Sequence, residues 1–464
     1  MPSQKRRTKP NVIFIVIDGL RADHLGSFGY RRPTSRFLDA FAKNSVNFRS
    51  HFSNSSQSAP GFFSIFASAY PFMRSDWTTT KGPYEFLSEV FRKNGYKTAG
   101  FACSPYISSF FGYDRGFDDF YYSGCHDDSD AVKKTIKSTL PSRMFEMLKK
   151  FVKTTTIGKM MNRIRFRFLM QPAYSNSEAI NEIVENHLSR SDCNDRPLFA
   201  WIHYLDAHVP FRSKKNDIRA VGGRFGARRA NFLDRKVFSF TLLNPFVDEE
   251  RMTVQELKDL ELCYDAQIYR ADRNLEKLFS MLSENGISRE NSVIAITADH
   301  GEGFGEHFGI GHTMRLYDEL VHVPFFLSVP GGKPREVYDL TNHIDIVPTL
   351  AASAGISLRS RFIKGKNVLK GSDTKYVFSE VAPNLGGMLS KIDFSRSVFS
   401  VRGKEWKYIK DYAREREELY HLSEDPDELK DLSQTEVDVK NKLWNLLRVH
   451  IKRKTKAVPY LKDV

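Results

Sequence analysis

Three continuous apolar runs, each followed by acidic or histidine side chains, constrain the fold of this chain most strongly. The runs are Asn11–Ile17, Leu198–His203 and Ser292–Thr297. Runs of this kind are typical of strands that are buried on both faces of a parallel sheet. Asp18, His208 and Asp299 follow them. Because ligands bind beyond the carboxyl ends of strands in open α/β sheets, we expect these three side chains to contribute to one site.

Helical patterns alternate with the apolar runs, which predicts an α/β fold with a doubly wound, mainly parallel sheet. Apolar residues recur at threes and fours from Leu257 to Leu282, as in a long amphipathic helix. Shorter helices are predicted for Pro83–Asn94, Ser175–Arg190 and His343–Ala354. After Gly371, short β-like pieces and a helical stretch at Val437–Lys452 predict a smaller antiparallel sheet with a terminal helix. We therefore expect a main domain over residues 1–371 and a C-terminal α+β subdomain over residues 372–464.

The chain is basic, because 70 Lys and Arg residues outnumber 56 Asp and Glu residues and give a net charge of +14. A basic surface attracts anions, and sulfate esters, phosphate esters and anionic polymers all fit it. Nucleic acid is not expected, since the sequence has no zinc-finger, helix-turn-helix or RNA-recognition signature. Two basic insertions, about residues 127–175 and 211–250, interrupt the pattern of strands and helices. We interpret them as ordered surface insertions; for the first, a membrane-surface helix or a lid over the site is the alternative.

The sequence predicts a cytoplasmic location. The apolar run after the basic N-terminus is short and ends at Asp18 rather than at a cleavage site, so it predicts a core strand. No stretch reaches 18 apolar residues, so a transmembrane helix is not expected. Four cysteines in 464 residues do not form a disulfide framework, which favours a reducing compartment. A peripheral membrane contact stays open, and the oligomeric state is not predicted.

Asp18, Asp299 and His300 are the candidate metal ligands. A carboxylate at the end of a buried strand is costly unless it is paired or bound to a cation. Asp299 and His300 are adjacent at such a strand end, so both can reach one ion. A mixed set of oxygen and nitrogen ligands suits Mn²⁺, Zn²⁺ or Mg²⁺ more than an all-oxygen Ca²⁺ site. For Asp18 alone, a helix N-cap is the alternative.

Ser58, His208 and His312 are the candidate catalytic residues. Ser58 lies two residues before Pro60, a residue that favours the first turn of a helix. A helix N-terminus next to a metal would make the hydroxyl a plausible nucleophile, although an N-cap serine is the simpler local interpretation. A histidine can protonate a leaving oxygen near neutral pH. Any single histidine is more often structural, and His307 and His322 are weaker candidates.

Together these segments resemble the sulfatase family of the alkaline phosphatase superfamily. The resemblance rests on the order and spacing of motifs along nearly the whole chain, which include Pro10-Asn11-Val12, Asp18-Gly19-Leu20-Arg21, Ser58-Ala59-Pro60, Gly95-Tyr96-Lys97-Thr98, Asp206-Ala207-His208-Val209-Pro210, Asp299-His300-Gly301-Glu302, His322-Val323-Pro324 and Glu418-Leu419-Tyr420. It implies an alkaline phosphatase-like fold with a smaller C-terminal subdomain. It also implies that one divalent cation (Ca, Mg, Mn or Zn) is held by Asp18, Ser58, Asp299 and His300. His208 and His312 would contact the transferred group or the leaving oxygen.

Three positions depart from the family's pattern. Phe62 stands where the family's nucleophile motif has an arginine, and Gly19 replaces the usual second aspartate after the first strand. The stretch Phe101–Pro105 lacks the lysine and histidine found there in well-studied members. These departures argue against formylglycine, the oxidised nucleophile of the family, at position 58. An unmodified Ser58 would resemble the superfamily's serine or threonine phosphoesterases and phosphotransferases.

Three functions remain open from the sequence. The leading one is a metal-dependent, sulfatase-like hydrolysis of sulfate esters through Ser58. The first alternative is phosphate mono- or diester hydrolysis, or phosphotransfer, by unmodified Ser58. The second alternative is non-catalytic binding of an anionic polymer, which the intact set of Asp18, Ser58, Asp299 and His300 disfavours. The expected substrate is an anionic small molecule or a glycan or lipid ester.

Overall fold

The computed structural model describes residues 9–73, 83–123, 176–190, 196–243, 252–307, 309–312, 314–383 and 394–455. The basic insertion predicted at about residues 127–175 lies outside the described residues, as does the end of the second insertion.

An eight-stranded sheet forms the centre of the main unit. Its strands, in chain order, are β1 (Asn11–Ile17), β2 (Val46–Phe48), β4 (Lys97–Ala102), β5 (Asp119–Tyr122), β6 (Leu198–Tyr204), β7 (Ser292–Thr297), β8 (Phe325–Ser328) and β9 (Arg335–Val337). Their spatial order is β5-β4-β6-β1-β7-β8-β2-β9. The first five in this order are parallel, and only β8 runs antiparallel to its two neighbours. The short strands β3 (His51–Phe52) and β10 (Thr341–Asn342) form a separate parallel pair.

Helices cover both faces of this sheet. They are α1 (Arg36–Lys43), α2 (Ser58–Ala67), α3 (Leu87–Lys93), α4 (Ser177–Leu188), α5 (Lys215–Ala220), α6 (Ala227–Leu243), α7 (Val254–Glu284), α8 (Asp318–Val321) and α9 (Ile346–Ser353). In the part of the chain that the structure describes, no helix is long and apolar enough to cross a membrane.

Alternating side chains of the central strand build two separate cores. Ile13, Ile15 and Ile17 pack into one apolar cluster with residues of α1, α4 and α7. Val12, Phe14 and Val16 pack into the second with residues of α2, α3 and α9. Because successive side chains of a strand point to opposite faces, a strand covered on both sides must be apolar at every position. This explains the unbroken apolar run before Asp18.

The C-terminal part of the chain forms a second, antiparallel sheet. Its strands are β11 (Val377–Val381), β12 (Val398–Arg402), β13 (Trp406–Asp411) and β14 (Arg416–His421), joined in that order. One face packs on Leu443, Leu447 and Ile451 of the terminal helix α10 (Val437–Thr455). The other face packs on a cluster that includes residues 314–321 of the main unit. The predicted α/β class, the mainly parallel sheet and the smaller antiparallel sheet with a terminal helix are confirmed; the division at residues 371 and 372 stays a prediction.

Two predicted helices begin later than the sequence pattern suggests. The helix predicted from Pro83 begins at Leu87, because Phe86 is extended and its N–H donates to Glu89 Oε2 at 2.9 Å. The helix predicted from His343 begins at Ile346, after a single 3₁₀ turn at His343–Asp345. Asp345 caps this turn, since its Oδ2 accepts the N–H of Asn342 at 2.9 Å. Local side-chain contacts to the backbone thus hold the extended Phe86 before α3 and the 3₁₀ turn before α9.

Replacing Leu447 with alanine should destabilise the C-terminal sheet and its helix. Leu447 is fully buried, and truncating a core leucine typically costs about 2–5 kcal/mol. Val449, two residues away on α10, is 48% exposed, so Val449→Ala is the matched control and should change stability by less than about 1 kcal/mol. Urea unfolding followed by tryptophan fluorescence measures both. Equal losses in the two variants would contradict the packing of α10 on the sheet.

Candidate active site

Two buried carboxylates meet at the ends of neighbouring strands. β1 and β7 are parallel and in register, with Val16 opposite Thr297, so Asp18 and Asp299 follow at equivalent positions. Both side chains are fully buried. Asp299 Oδ1 accepts the N–H of Gly19 at 3.3 Å and that of His300 at 3.0 Å. Asp18 Oδ1 and Asp299 Oδ2 have no hydrogen-bond partner among the described residues. Two unpaired buried carboxylate oxygens are costly, and a cation between them would remove that cost.

His300 completes a candidate cation site with these carboxylates. Its Nδ1 lies 2.8 Å from the carbonyl oxygen of Gly301, which can only accept, so Nδ1 carries the hydrogen. The lone pair of Nε2 therefore faces the carboxylates, at 3.5 Å from Asp18 Oδ1 and 3.4 Å from Asp299 Oδ2. One ligand atom from each of the three residues lies within 4.8 Å of the others. The donor set of two carboxylates and one neutral imidazole fits a divalent cation.

Burial and mutual repulsion shift the pKa values of this group. Burial, and then the charge of Asp18, raise the pKa of Asp299 well above its ordinary value. Burial alone would raise the pKa of Asp18. The charge of His208 and the hydrogen bond of His203 lower it by more than burial raises it, so the net pKa falls below its ordinary value. Burial and the neighbouring His312 lower the pKa of His300 to about 4. The imidazole of His300 is thus neutral at pH 7 and able to act as a ligand.

Ser58 lies beside this group at the start of helix α2. Its Oγ is 3.1 Å from Nε2 of His300, and the residue is 7% exposed. The helix begins at Ser58 itself, with Gln57 as its N-cap, so the N-cap interpretation of Ser58 is wrong. Gly61 lets α2 approach the strand end closely, because a Cβ there would lie 3.0 Å from the carbonyl oxygen of Asp299. The hydroxyl therefore lies at a helix N-terminus and next to the carboxylates.

His208 and His312 lie on the open side of the site. The ring centroid of His312 is 4.6 Å from that of His208 and 4.6 Å from that of His300. These packed rings leave His208 half-buried. His312 Nδ1 lies 3.2 Å from Oε1 of the fully buried Glu302. Burial lowers the pKa of His312, but the charge and hydrogen bond of Glu302 raise it, and the net pKa lies above its ordinary value.

The positions that depart from the family's pattern are all packed. Phe62 is fully buried, with its ring edge-on to His203 at 5.1 Å and to Trp201 at 5.7 Å. Gly19 has φ +75°, and a Cβ there would lie 2.8 Å from the carbonyl oxygen of Ala207. Cys103, which is also buried, places its Sγ 3.3 Å from Nδ1 of His203. An arginine or a second aspartate would therefore require local repacking or backbone movement.

Three residues that contact the site side chains were given no role in the sequence analysis. His203 Nε2 lies 3.2 Å from Asp18 Oδ2, Cys103 contacts His203, and Glu302 contacts His312. The signal for His203 was present, because it is a polar residue inside the otherwise apolar strand β6, opposite Val16. By contrast, His307 pairs with Glu319 at 2.7 Å, and His322 contacts the carbonyl oxygen of Arg49. These two histidines have structural partners and do not join the site.

The model of the sulfatase family matches residues 10–356 of the chain. A second family model, described as the C-terminal region of N-sulphoglucosamine sulphohydrolase, matches residues 305–455. The chain therefore belongs to the sulfatase family and is a hydrolase acting on ester bonds. This agrees with the family and the enzyme class that the sequence motifs predict.

Individual relatives and solved structures are similar over most of the chain. Arylsulfatase K of Bos taurus is 23% identical over 95% of this chain and 81% of its own length. The crystal structure of the phosphonate monoester hydrolase of Agrobacterium radiobacter has a TM-score of 0.68 and 19% identity, and covers 97% of this chain and 96% of its own. A structure solved in complex with its substrate D-glucosamine-2-N,6-O-disulfate has a TM-score of 0.67 and 14% identity, covering 98% and 100%. These structures establish a shared fold.

Replacing Glu302 with glutamine should lower the pKa of His312. The negative charge beside the imidazole is removed, so its protonated form is no longer favoured. Because the pKa of His312 is raised in the folded protein, the pair stabilises the fold below the ordinary histidine pKa, and this contribution disappears as pH rises through the folded value. Histidine NMR titration of the wild type and the variant measures the shift.

Glu319→Gln is the matched control, because Glu319 pairs with His307 in the same way and the pKa of His307 is also raised. It should lower the pKa of His307 and leave that of His312 unchanged. If Glu302→Gln left the titration of His312 unchanged, the electrostatic role of Glu302 would be wrong.

Proposed function

We propose that the protein is a metal-dependent hydrolase of sulfate esters in anionic glycans, with Ser58 as the nucleophile. The observation that carries this proposal is the position of Ser58 Oγ, 3.1 Å from Nε2 of His300 and beside two unpaired, buried carboxylate oxygens. A hydroxyl in this setting can be activated for attack on an ester. Membership of the sulfatase family supports sulfate as the transferred group.

Asp18, Ser58, Asp299 and His300 are the proposed cation ligands. Their oxygen and nitrogen donors fit Mn²⁺, Zn²⁺ or Mg²⁺ better than an all-oxygen Ca²⁺ site. A divalent cation there would neutralise the two carboxylates and, as a Lewis acid, stabilise the negative charge that develops during ester cleavage. The raised pKa of Asp299 supports this assignment, because both carboxylates remain ionised at pH 7 only when a positive charge lies nearby.

His312 and His208 are the proposed groups for the departing alcohol. The pKa of His312 is raised by Glu302, so a proton is available on its ring near neutral pH. Burial lowers the pKa of His208, although the charge of Asp18 opposes this, so His208 is proposed to act as the neutral hydrogen-bonding partner. Since the two rings are 4.6 Å apart, both can reach one bound group. A proton placed on the leaving oxygen accelerates ester cleavage.

Phosphate or phosphonate ester hydrolysis is the second candidate, and Phe62 is the observation that favours it. The arginine of the family's nucleophile motif is absent here, and the phenylalanine in its place is packed among aromatic rings. An unmodified serine that accepted a sulfuryl group would have to release it by attack at sulfur. A phosphorylated serine can be hydrolysed at phosphorus. The phosphonate monoester hydrolase with a similar fold agrees with this candidate.

An ester-cleavage assay with the purified protein distinguishes the two candidates. Aryl sulfate, aryl phosphate and aryl phosphonate monoesters are supplied in turn after chelation and reloading with Mn²⁺, Mg²⁺, Zn²⁺ or Ca²⁺. We expect metal-dependent sulfate release that falls at least about 1,000-fold in Ser58→Ala and in Asp299→Asn. Ser353→Ala, at the C-terminal end of helix α9 and outside the proposed site, is the control and should keep full activity.

Which esters the protein cleaves distinguishes the two candidate functions. Cleavage of the phosphorus esters alone would replace the sulfate proposal with the second candidate. Full activity of Ser58→Ala would contradict both, because cleavage would then not need this hydroxyl. A wild type that cleaves none of the esters with any of the metals would favour the binding of anionic polymers without catalysis. Mass spectrometry of the peptide that contains residue 58 shows whether its serine is unmodified or oxidised to formylglycine.

A basic surface on α5 and α6 supports a glycan as the substrate. The exposed basic side chains of this surface are Arg212, Lys214, Lys215, Arg219, Arg224, Arg228 and Arg235. Its two acidic residues, Asp217 and Asp234, are buried; Asp217 pairs with Arg270 and Asp234 accepts the N–H groups of Phe211 and Arg212. Phe232 is 42% exposed and lies between Arg229 and Lys236. Arg229 and Lys236 pair with Asp259 and Glu256, so the positive charge that would attract a polyanionic sugar chain comes from the exposed basic side chains of this surface.

Asp234 also connects this surface to the site. It accepts the N–H groups of Phe211 and Arg212, both at 2.8 Å, three and four residues after His208. A long anionic substrate bound along α5 and α6 would therefore lie close to the proposed catalytic histidines. The solved structure in complex with D-glucosamine-2-N,6-O-disulfate is consistent with this substrate class.

Charge reversal on this surface should weaken activity on a polymer selectively. In the double variant Arg219→Glu and Arg228→Glu, we expect kcat/KM for a sulfated polysaccharide to fall about tenfold or more at low salt, and kcat/KM for a small aryl ester to change less than about twofold. Lys442→Glu with Arg448→Glu on α10 is the matched control, since both are exposed. Equal effects of the two double variants would contradict a localised binding surface.

A further inference from the structure

A buried chain of three side chains leads from strand β4 to the candidate cation site. Cys103 Sγ lies 3.3 Å from Nδ1 of His203, and Nε2 of the same ring lies 3.2 Å from Asp18 Oδ2. All three side chains are fully buried. His203 thus contacts the carboxylate through the oxygen that does not face His300.

Because the carboxylate of Asp18 can only accept hydrogen bonds, it determines which nitrogen of His203 carries the hydrogen. An ionised carboxylate can only accept, so Nε2 of His203 must carry the hydrogen that the contact at 3.2 Å needs. Nδ1 of the neutral ring is then an acceptor, and the thiol of Cys103, which also lies 3.2 Å from the carbonyl oxygen of His203, is the donor within reach of it. In the opposite tautomer, two lone pairs would face each other at Asp18. The thiol therefore favours the same tautomer that the carboxylate requires.

This contact leaves the other oxygen of Asp18 free for a cation. Oδ2 is held by His203, whereas Oδ1 lies 3.5 Å from Nε2 of His300 and has no hydrogen-bond partner among the described residues. The imidazole is itself fixed, since Phe62 packs edge-on at 5.1 Å and Trp201 lies at 6.1 Å. The ring therefore cannot rotate without disturbing an aromatic core, and Asp18 is held in one orientation.

We propose that His203 is a positioning residue, which Cys103 keeps in its Nε2–H tautomer and which orients Asp18 for cation binding. The inference rests on the cation site of the proposed function and adds to it two residues that do not touch the ion. The contact between His203 and Asp18 matters more here because Gly19 stands where the family has a second aspartate. Fewer carboxylates would then share the ion, so its binding would depend more on the orientation of Asp18. Partners of this kind typically change metal affinity 10- to 100-fold.

Titration calorimetry of the chelated protein with MnCl₂ tests the proposal without any substrate. We expect His203→Leu to weaken Mn²⁺ binding about 10- to 100-fold, because the donor to Oδ2 is lost. His203→Gln retains an N–H at a similar position and should stay within about threefold of the wild type. Cys103→Ala should weaken binding more than Cys103→Ser, whose hydroxyl can still donate. His450→Gln, a buried histidine on α10, is the matched control and should bind as the wild type does.

A second measurement reports on the imidazole itself. In ¹⁵N NMR of the metal-free protein, the signal that disappears in His203→Gln should have the shifts of the Nε2–H tautomer. The Nδ1–H tautomer would overturn the proposal, even if His203→Leu failed to fold. Equal Mn²⁺ affinity of folded His203→Leu and the wild type would also overturn it.

The outcome for the wild type separates this inference from the proposed function. A wild-type protein that binds no Mn²⁺, Mg²⁺, Zn²⁺ or Ca²⁺ would refute the cation site and the positioning role together. A wild type that binds, with His203 variants that bind equally well, would refute only the role of His203.

Discussion

The close approach of Asp18 and Asp299 is the constraint on which the rest of the structure depends. Both carboxylates are fully buried, and each keeps one oxygen without a hydrogen-bond partner among the described residues. Such a pair is unfavourable in isolation, since like charges in a region of low dielectric repel strongly. The fold must hold the two residues together against this repulsion. It does so with parallel pairing of β1 and β7 and with an apolar core on each face of the sheet.

Elements from distant parts of the chain then complete the site around this pair. Helix α2 reaches the strand end because Gly61 has no side chain to separate it from Asp299. A second close contact occurs at Gly301, where a Cβ would lie 2.0 Å from the carbonyl oxygen of Glu319. Residues 314–321, which include α8, in turn contact the small sheet, one face of which packs on them. Stability of the C-terminal sheet is thus coupled to the loop that carries His312.

The sequence was sufficient to predict the class of fold and to select candidate site residues, whose roles stay predictions. The signal came from position: Asp18, Asp299 and His300 each follow an apolar run, and such runs end at one edge of a parallel sheet. The structure brings these three together with Ser58, His208 and His312. What could not be predicted depends on individual side-chain contacts, at both long and short separations along the chain. Glu302 and His203 act through partners 10 and 185 residues away, and the start of α3 depends on a local cap that the apolar periodicity does not record.

The packing around Phe62 limits which side chains position 62 can accept. Its ring is fully buried between His203, Trp201 and Tyr113, all in edge-on contact. A guanidinium placed there would lose its hydration among aromatic rings, at a cost of several kcal/mol unless a new anion compensated it. An arginine at position 62 would therefore require a coordinated change in at least one neighbouring ring. The single substitution of Phe62 by arginine would lower the stability of the aromatic core before it could offer an anion any new contact.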